Sequence, residues 1–213
     1  MPHTDHTPLV VSWSRAEADR EGTPLLVALH GRGSDERTFA EIAPYLPEDT
    51  TLAFVRAPIA EGGGYAWFAN RGIGRPVAAS LAAGTAQLLD WLSTVAARHR
   101  SVSLLGFSGG MAMAGGLLLA EPARFASAVL LSGPLPWDAG LPEEPGRFDG
   151  VRVFWGRDDA DTVIPADLVT RTGQWLREKS GAELTERVYP ALGHAVGAAE
   201  LDDVRAFLTG TDH

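Results

Sequence analysis

Short apolar runs alternate with longer, helix-patterned stretches along almost the whole chain. The runs are Pro8–Trp13, Leu25–His30, Leu52–Val55, Val102–Leu105, Ala126–Leu131, Val151–Trp155 and Leu184–Tyr189. Most carry Val and Leu at consecutive positions instead of every second one, the pattern of strands covered on both faces in a parallel sheet. The first run differs. Pro8–Trp13 and Leu25–His30 flank a polar stretch, so the two are expected to pair antiparallel at the start of the sheet. Between the runs the spacing predicts helices over Asp35–Leu46, Pro76–Arg98, Gly110–Ala120, Pro165–Ser180 and Ala198–Leu208. In the second of these, Val77, Leu81, Leu88, Leu92 and Val95 form one apolar stripe, and Pro76 suits a first turn. Gly110–Ala120 is small and apolar throughout, as a helix buried against a sheet must be. Strand and helix in strict alternation predict a doubly wound α/β arrangement in one domain spanning residues 1–213.

Two stretches interrupt the alternation. Arg56–Arg75 holds Gly62, Gly63, Gly64, Gly72 and Gly74 among Tyr65, Trp67 and Phe68; Pro134–Gly150 holds four prolines. Connections this long inside an α/β domain tend to carry function. Composition then removes several classes of activity. Asp and Glu outnumber Lys and Arg by 27 to 18, a net charge of −9, which argues against a nucleic-acid groove or a basic membrane patch. With no cysteine, disulfides, thiolate metal sites and a cysteine nucleophile are excluded. The segment MPHTDHTPLV has neither a basic region nor a long apolar run. No signal peptide or stable membrane insertion is therefore expected, and the cytoplasm is the expected location.

The run Val102–Leu105 leads into Gly106-Phe107-Ser108-Gly109-Gly110, a G-x-S-x-G pattern followed at once by the small-residue helix. The pattern alone is weak; the strand before it and the helix after it are the setting it requires. A serine held in a sharp turn above the sheet projects its hydroxyl, and bulk two positions to either side would strike neighbouring backbone. The turn also aims free N–H groups at the helix N-terminus toward a developing oxyanion. The plainer reading is a Gly/Ser loop, with or without a phosphate.

A serine hydroxyl needs a base, and the base needs an orienting group. His3, His6 and His213 lie near the chain ends, His99 closes a polar helix end, and His30 directly follows a strand. His194 remains, in a glycine-containing loop after the last strand, on the carboxyl edge where α/β sheets bind ligands. After Val151–Trp155 come Asp158, Asp159 and Asp161. Asp161, ahead of Thr-Val-Ile-Pro, is the better placed to sit under an imidazole, and Asp159 is the alternative. The chain order serine, aspartate, histidine is that of α/β-hydrolases.

The stretches LLVALHGRGSDE, RAPIAEGGGYAWF, SLLGFSGGMAMAG, AVLLSGPLP, VFWGRDDADTVIP and YPALGHAVGAAELDDVRAFL resemble the carboxylesterase/phospholipase family, which includes acyl-protein thioesterases and lysophospholipases. The resemblance spans about Leu25 to Leu208. It implies an α/β-hydrolase fold: a mostly parallel sheet with an antiparallel N-terminal strand, helices on both faces and no cap domain. It implies Ser108, Asp161 and His194 as a catalytic triad, and the backbone N–H groups of Arg32 and Gly109 as an oxyanion hole. His30 is then structural. No metal or organic cofactor is implied. One departure is Gly109-Gly110-Met111, where the family usually has Gln-Gly-Gly; another is a stretch from Gly156 to Asp161 about two residues longer than the common form.

The expected activity is hydrolysis of small to medium acyl esters through an acyl-enzyme. The alternatives are a thioesterase or lysophospholipase using the same residues, and a non-catalytic binding protein of the same fold. Tyr65, Trp67, Phe68, Met111 and Trp137 are candidates to line the acyl site, although each could equally pack in the core. Arg32 or Arg71 could offset an anionic substrate. The expected partner is a small-molecule ester, with homodimerisation left open.

Overall fold

The computed structural model describes residues 8–211, so His3, His6 and His213 lie outside the described residues. In chain order the strands are β1 (Val11–Trp13), β2 (Pro24–Leu29), β3 (Thr51–Val55), β4 (Ile59–Glu61), β5 (Gly64–Ala66), β6 (Ser101–Phe107), β7 (Ser127–Leu131), β8 (Arg152–Arg157) and β9 (Glu183–Val188). The helices are α1 (Glu36–Phe39), α2 (Ala78–Val95), α3 (Gly109–Ala120), α4 (Ala166–Glu178) and α5 (Ala198–Thr209). Seven strands form one sheet in the order β1-β3-β2-β6-β7-β8-β9, and β4 and β5 form a separate hairpin.

The continuous apolar runs are explained by what covers them. Along β2, Leu25, Val27 and Leu29 enter one core, while Leu26 and Ala28 enter the other. The first core receives Leu81, Leu88 and Leu92 of α2, the small face of α3, and Leu168, Trp175 and Leu176 of α4. The second receives Phe39 of α1 and Val204 and Phe207 of α5. Both faces of the inner strands are therefore covered, and every pairing in the main sheet except that of β1 is parallel. This is the α/β-hydrolase architecture.

The expected partner of β1 is corrected. β2 is flanked by parallel β3 and β6 and has no free edge, so β1 lies antiparallel against β3, with Ser12 opposite Phe54. Ser14 fixes the exit: its hydroxyl accepts from Leu52 N–H at 2.9 Å. Two helices also differ from expectation. The stretch Asp35–Leu46 is a single α-turn followed by a 3-10 stretch over Ala40–Tyr45, which tolerates Pro44. Asp35 caps it, accepting from Arg37 and Thr38 N–H at 2.9 and 2.8 Å. Helix α2 begins at Ala78, because Pro76 is held in a bridge to Asn70 just before it. No helix among the described residues is long and apolar enough to cross a membrane.

Candidate active site

At the carboxyl end of the central strand β6, the chain turns into α3 through Ser108, which has φ 54° and ψ −115°. A non-glycine residue in this region is strained, and the surroundings fix it there. Ser108 N–H donates to Leu131 O on the neighbouring strand at 2.9 Å. A Cβ on Gly106 would lie 2.3 Å from Gly110 O, and one on Gly110 would lie 1.9 Å from Leu29 O. Both glycines of G-x-S-x-G are therefore demanded by backbone contact, and the plainer Gly/Ser loop would need neither.

His194 comes from the loop between β9 and α5. Its Nε2 lies 2.9 Å from Ser108 Oγ and its Nδ1 lies 2.7 Å from Asp161 Oδ2. An ionised carboxylate only accepts, so Nδ1 carries the proton and Nε2 offers its lone pair to the serine hydroxyl. The ring packs on Phe107 with centroids 5.0 Å apart. Asp161 is held in turn by Val163 N–H, which donates to Oδ1 at 2.7 Å. Asp159 is not part of this array. It is 67% exposed and pairs with Arg157 at 3.1 Å.

The loop after β2 brings Arg32 beside the elbow: a Cβ on Gly109 would sit 3.4 Å from Arg32 N. Among the described hydrogen bonds neither the Arg32 nor the Gly109 N–H has an acceptor. The two N–H groups therefore lie side by side next to Ser108. The rigidity of the Arg32 loop comes from below and from the side. Ala57 N–H donates to His30 Nε2 at 3.1 Å, so His30 Nδ1 carries the proton and donates to Gly31 O at 2.7 Å. Burial lowers the His30 pKa, which keeps the ring neutral. From the side, β5 exchanges backbone hydrogen bonds with the loop, Gly33 N–H to Tyr65 O and Tyr65 N–H to Ser34 O, both 2.9 Å. The Arg32 guanidinium is bound to Glu61 and to Phe68 O, so its charge is already answered.

A cavity of about 280 Å³ opens over these groups. Its walls are mostly apolar: Phe68, Ile73, Ala112, Pro134, Val163 and Ile164 stand around Ser108, Gly109 and His194. Of the five side chains expected to line an acyl site, Phe68 alone borders it. The others serve the scaffold, because each has found a partner away from the cavity. Trp67 donates its indole N–H to His30 O at 2.8 Å, and Trp137 donates to Thr172 Oγ1 at 3.0 Å. Met111 is fully buried beside Gly133, and Tyr65 lies under Arg56. Ile73 and Val163, exposed apolar residues at the rim, were not singled out by the sequence as lining residues; the signal for Ile73 was a lone large apolar side chain between glycines, and Val163 lay within the short apolar Thr-Val-Ile-Pro return. Most of Pro134–Gly150 lies against α4, where Phe148 stacks edge-on with Trp175 at 4.9 Å. A larger cavity, about 380 Å³, borders the other side of the Asp161 loop and contains neither Ser108 nor His194.

Comparison with known proteins bears on the same chemistry. A family model described as Phospholipase/Carboxylesterase matches residues 14–211. A probable carboxylesterase of Oryza sativa subsp. japonica is 28% identical over 202 residues, covering 84% of this chain and 85% of that protein. A carboxylesterase from Mesorhizobium loti superposes with a TM-score of 0.79 at 28% identity, over 91% of either chain. The Bacillus cereus carboxylesterase shares the fold at a TM-score of 0.82 and 19% identity, over 96% of this chain and 95% of its own.

Proposed function

Because the chain belongs to the phospholipase/carboxylesterase family of α/β-hydrolases, we propose that it is a serine carboxylic-ester hydrolase acting on small to medium acyl esters. The observation that carries this reading is the continuous hydrogen-bonded array from Ser108 through His194 to Asp161 beneath two unpaired backbone amides. Ser108 Oγ attacks the ester carbonyl carbon while His194 Nε2 takes its proton. Asp161 holds the tautomer and stabilises the imidazolium that forms. The carbonyl oxygen, now an oxyanion, is met by the Arg32 and Gly109 N–H groups, each worth about 3 kcal/mol in the transition state. Collapse of the tetrahedral intermediate breaks the bond to the alkoxy oxygen, which leaves with the proton from His194. Water then gives its proton to the same nitrogen, attacks the acyl-enzyme, and releases the acid and Ser108.

The cavity supports the substrate class. Its volume and apolar walls suit a short or medium acyl chain, and Arg32, which borders the cavity, is already paired with Glu61 and so offers little to a strongly anionic ester. Labelling with a fluorophosphonate tests the reading directly. A covalent adduct on Ser108 is expected, together with loss of p-nitrophenyl butyrate hydrolysis in Ser108→Ala. An unlabelled Ser108, or an Ala variant as active as the parent, would overturn it.

A further inference from the structure

The loop between β8 and α4 contains two carboxylates that are used in the same way, three residues apart. Asp161 Oδ1 accepts the N–H of Val163, two positions ahead, and its Oδ2 reaches out of the loop to His194 Nδ1. Asp158 Oδ1 accepts the N–H of Ala160, also two positions ahead, at 2.8 Å. Its Oδ2 reaches out to the N–H of Gly193 at 2.7 Å. Two Asx-type turns thus present one oxygen each to consecutive residues of the opposing loop. Asp158 is 4% exposed, and its carboxylate is held between these two donors.

The receiving loop has little else to hold it. Tyr189 marks its start, tied by its N–H to Arg157 O at 2.8 Å and by its hydroxyl to Asp203 at 2.6 Å. Between Pro190 and Val196, the hydrogen bonds that leave the loop, among the described residues, run to Asp158, Asp161 and Ser108. The segment also contains Ala191 at φ 64° and Gly193 at φ 67°, left-handed positions that the loop alone would not favour at alanine. The bonds to Asp161 and Ser108 are made by the imidazole itself. Among the described hydrogen bonds that leave the loop, the one from Gly193 N–H is made by the backbone from which that imidazole hangs.

We propose that Asp158 is a positioning residue for the reaction: by accepting the Gly193 N–H it sets the place of the His194 backbone, and so the reach of the imidazole to Ser108. The inference rests on the serine-hydrolase reading above. It assigns the carboxylates of the loop three separate tasks: Asp161 orients the ring, Asp158 anchors the backbone behind it, and Asp159 neutralises Arg157. The backbone N–H groups of Ala160 and Gly193 hold the Asp158 pKa below its ordinary value, so the carboxylate stays ionised and accepts throughout the neutral range.

In Asp158→Asn, one carboxylate oxygen becomes an NH2 group facing an N–H donor, so one of the two bonds is lost while size and burial are kept. The rate of fluorophosphonate labelling at Ser108, measured per folded molecule by circular dichroism, is expected to fall by about tenfold or more. With p-nitrophenyl butyrate the loss should appear in kcat, with KM changing by less than about twofold, since Asp158 does not line the substrate cavity. Asp158→Glu, which keeps the charge but lengthens the reach, should show the same kcat loss and gives the readout if the Asn variant does not fold. Asp159→Asn should label at the parent rate. Labelling of Asp158→Asn and Asp158→Glu at the parent rate would overturn the positioning role and leave the serine-hydrolase reading standing. Failure of the parent protein itself to label would instead remove the reading on which it rests.

Discussion

Replacing Glu200 by Gln is expected to stabilise the protein above neutral pH and to leave it little changed in mild acid. Glu200 lies in the first turn of α5, is 0% exposed, and has neither carboxyl oxygen in a hydrogen bond among the described residues. A Cβ on Gly156 would lie 2.3 Å from Glu200 Oε1, so the carboxyl is pressed against the β8 backbone. Burial is the main cause that pushes its pKa from 4.5 to about 7, and the Asp203 charge adds to the rise. In the unfolded chain the group ionises near 4.5, but in the folded protein it keeps its proton until about 7. Its favourable share of stability is therefore complete below pH 4.5 and is lost as pH rises through 7. At about 1.4 kcal/mol per tenfold, the loss is of order 3 kcal/mol. Gln has nearly the same shape and no charge to gain. The difference in stability between Glu200→Gln and the parent should thus grow by about 3 kcal/mol between pH 4.5 and pH 8, or about 6–12 °C in Tm. Thermal unfolding of both proteins at the two pH values measures it, and any constant effect of the amide cancels in the comparison. An equal difference at both pH values would refute the reasoning.

Two further expectations concern the elbow and the orienting acid. Gly110→Ala would drive a methyl group to 1.9 Å from Leu29 O and 2.7 Å from His30 O, both backbone atoms; urea unfolding should show a loss above about 4 kcal/mol or no folded protein at all. Asp161→Asn should lower kcat by about 10⁴-fold by favouring the wrong tautomer of His194, whereas exposed Asp159→Asn should stay within about twofold in the same assay.

The strand–turn–helix around Ser108 was legible because its constraints are local. Gly106 and Gly110 are required by contacts within a few residues and by the strand next door. The apolar runs of β2 and β3 were equally legible, since burial on both faces leaves almost no polar position to dilute them. The place of β1 was not. Whether a short strand folds back on its successor depends on which edges the later strands occupy, and β2 had both edges taken. The walls of the cavity were hidden for a related reason: Trp67, Met111 and Trp137 are as apolar as Ile73 and Val163, and only the packed fold separates those facing a core from those at a rim. Among the three carboxylates after β8, the Thr-Val-Ile-Pro return singled out Asp161, which does lie against the imidazole. Nothing in the sequence singled out Asp158, because its partner is a main-chain N–H and leaves no mark in residue identity.

The elbow and the histidine loop are held by different kinds of force. Ser108 is fixed by close backbone contact at Gly106 and Gly110, which neither acid nor salt can weaken. His194 is fixed by carboxylates, through its own ring and through Gly193. The serine turn and the histidine loop therefore have unequal tolerance of their surroundings. As acid neutralises Asp158, which its backbone donors hold below the ordinary carboxylate range, the histidine loop loses its anchor while the serine turn keeps its backbone contacts.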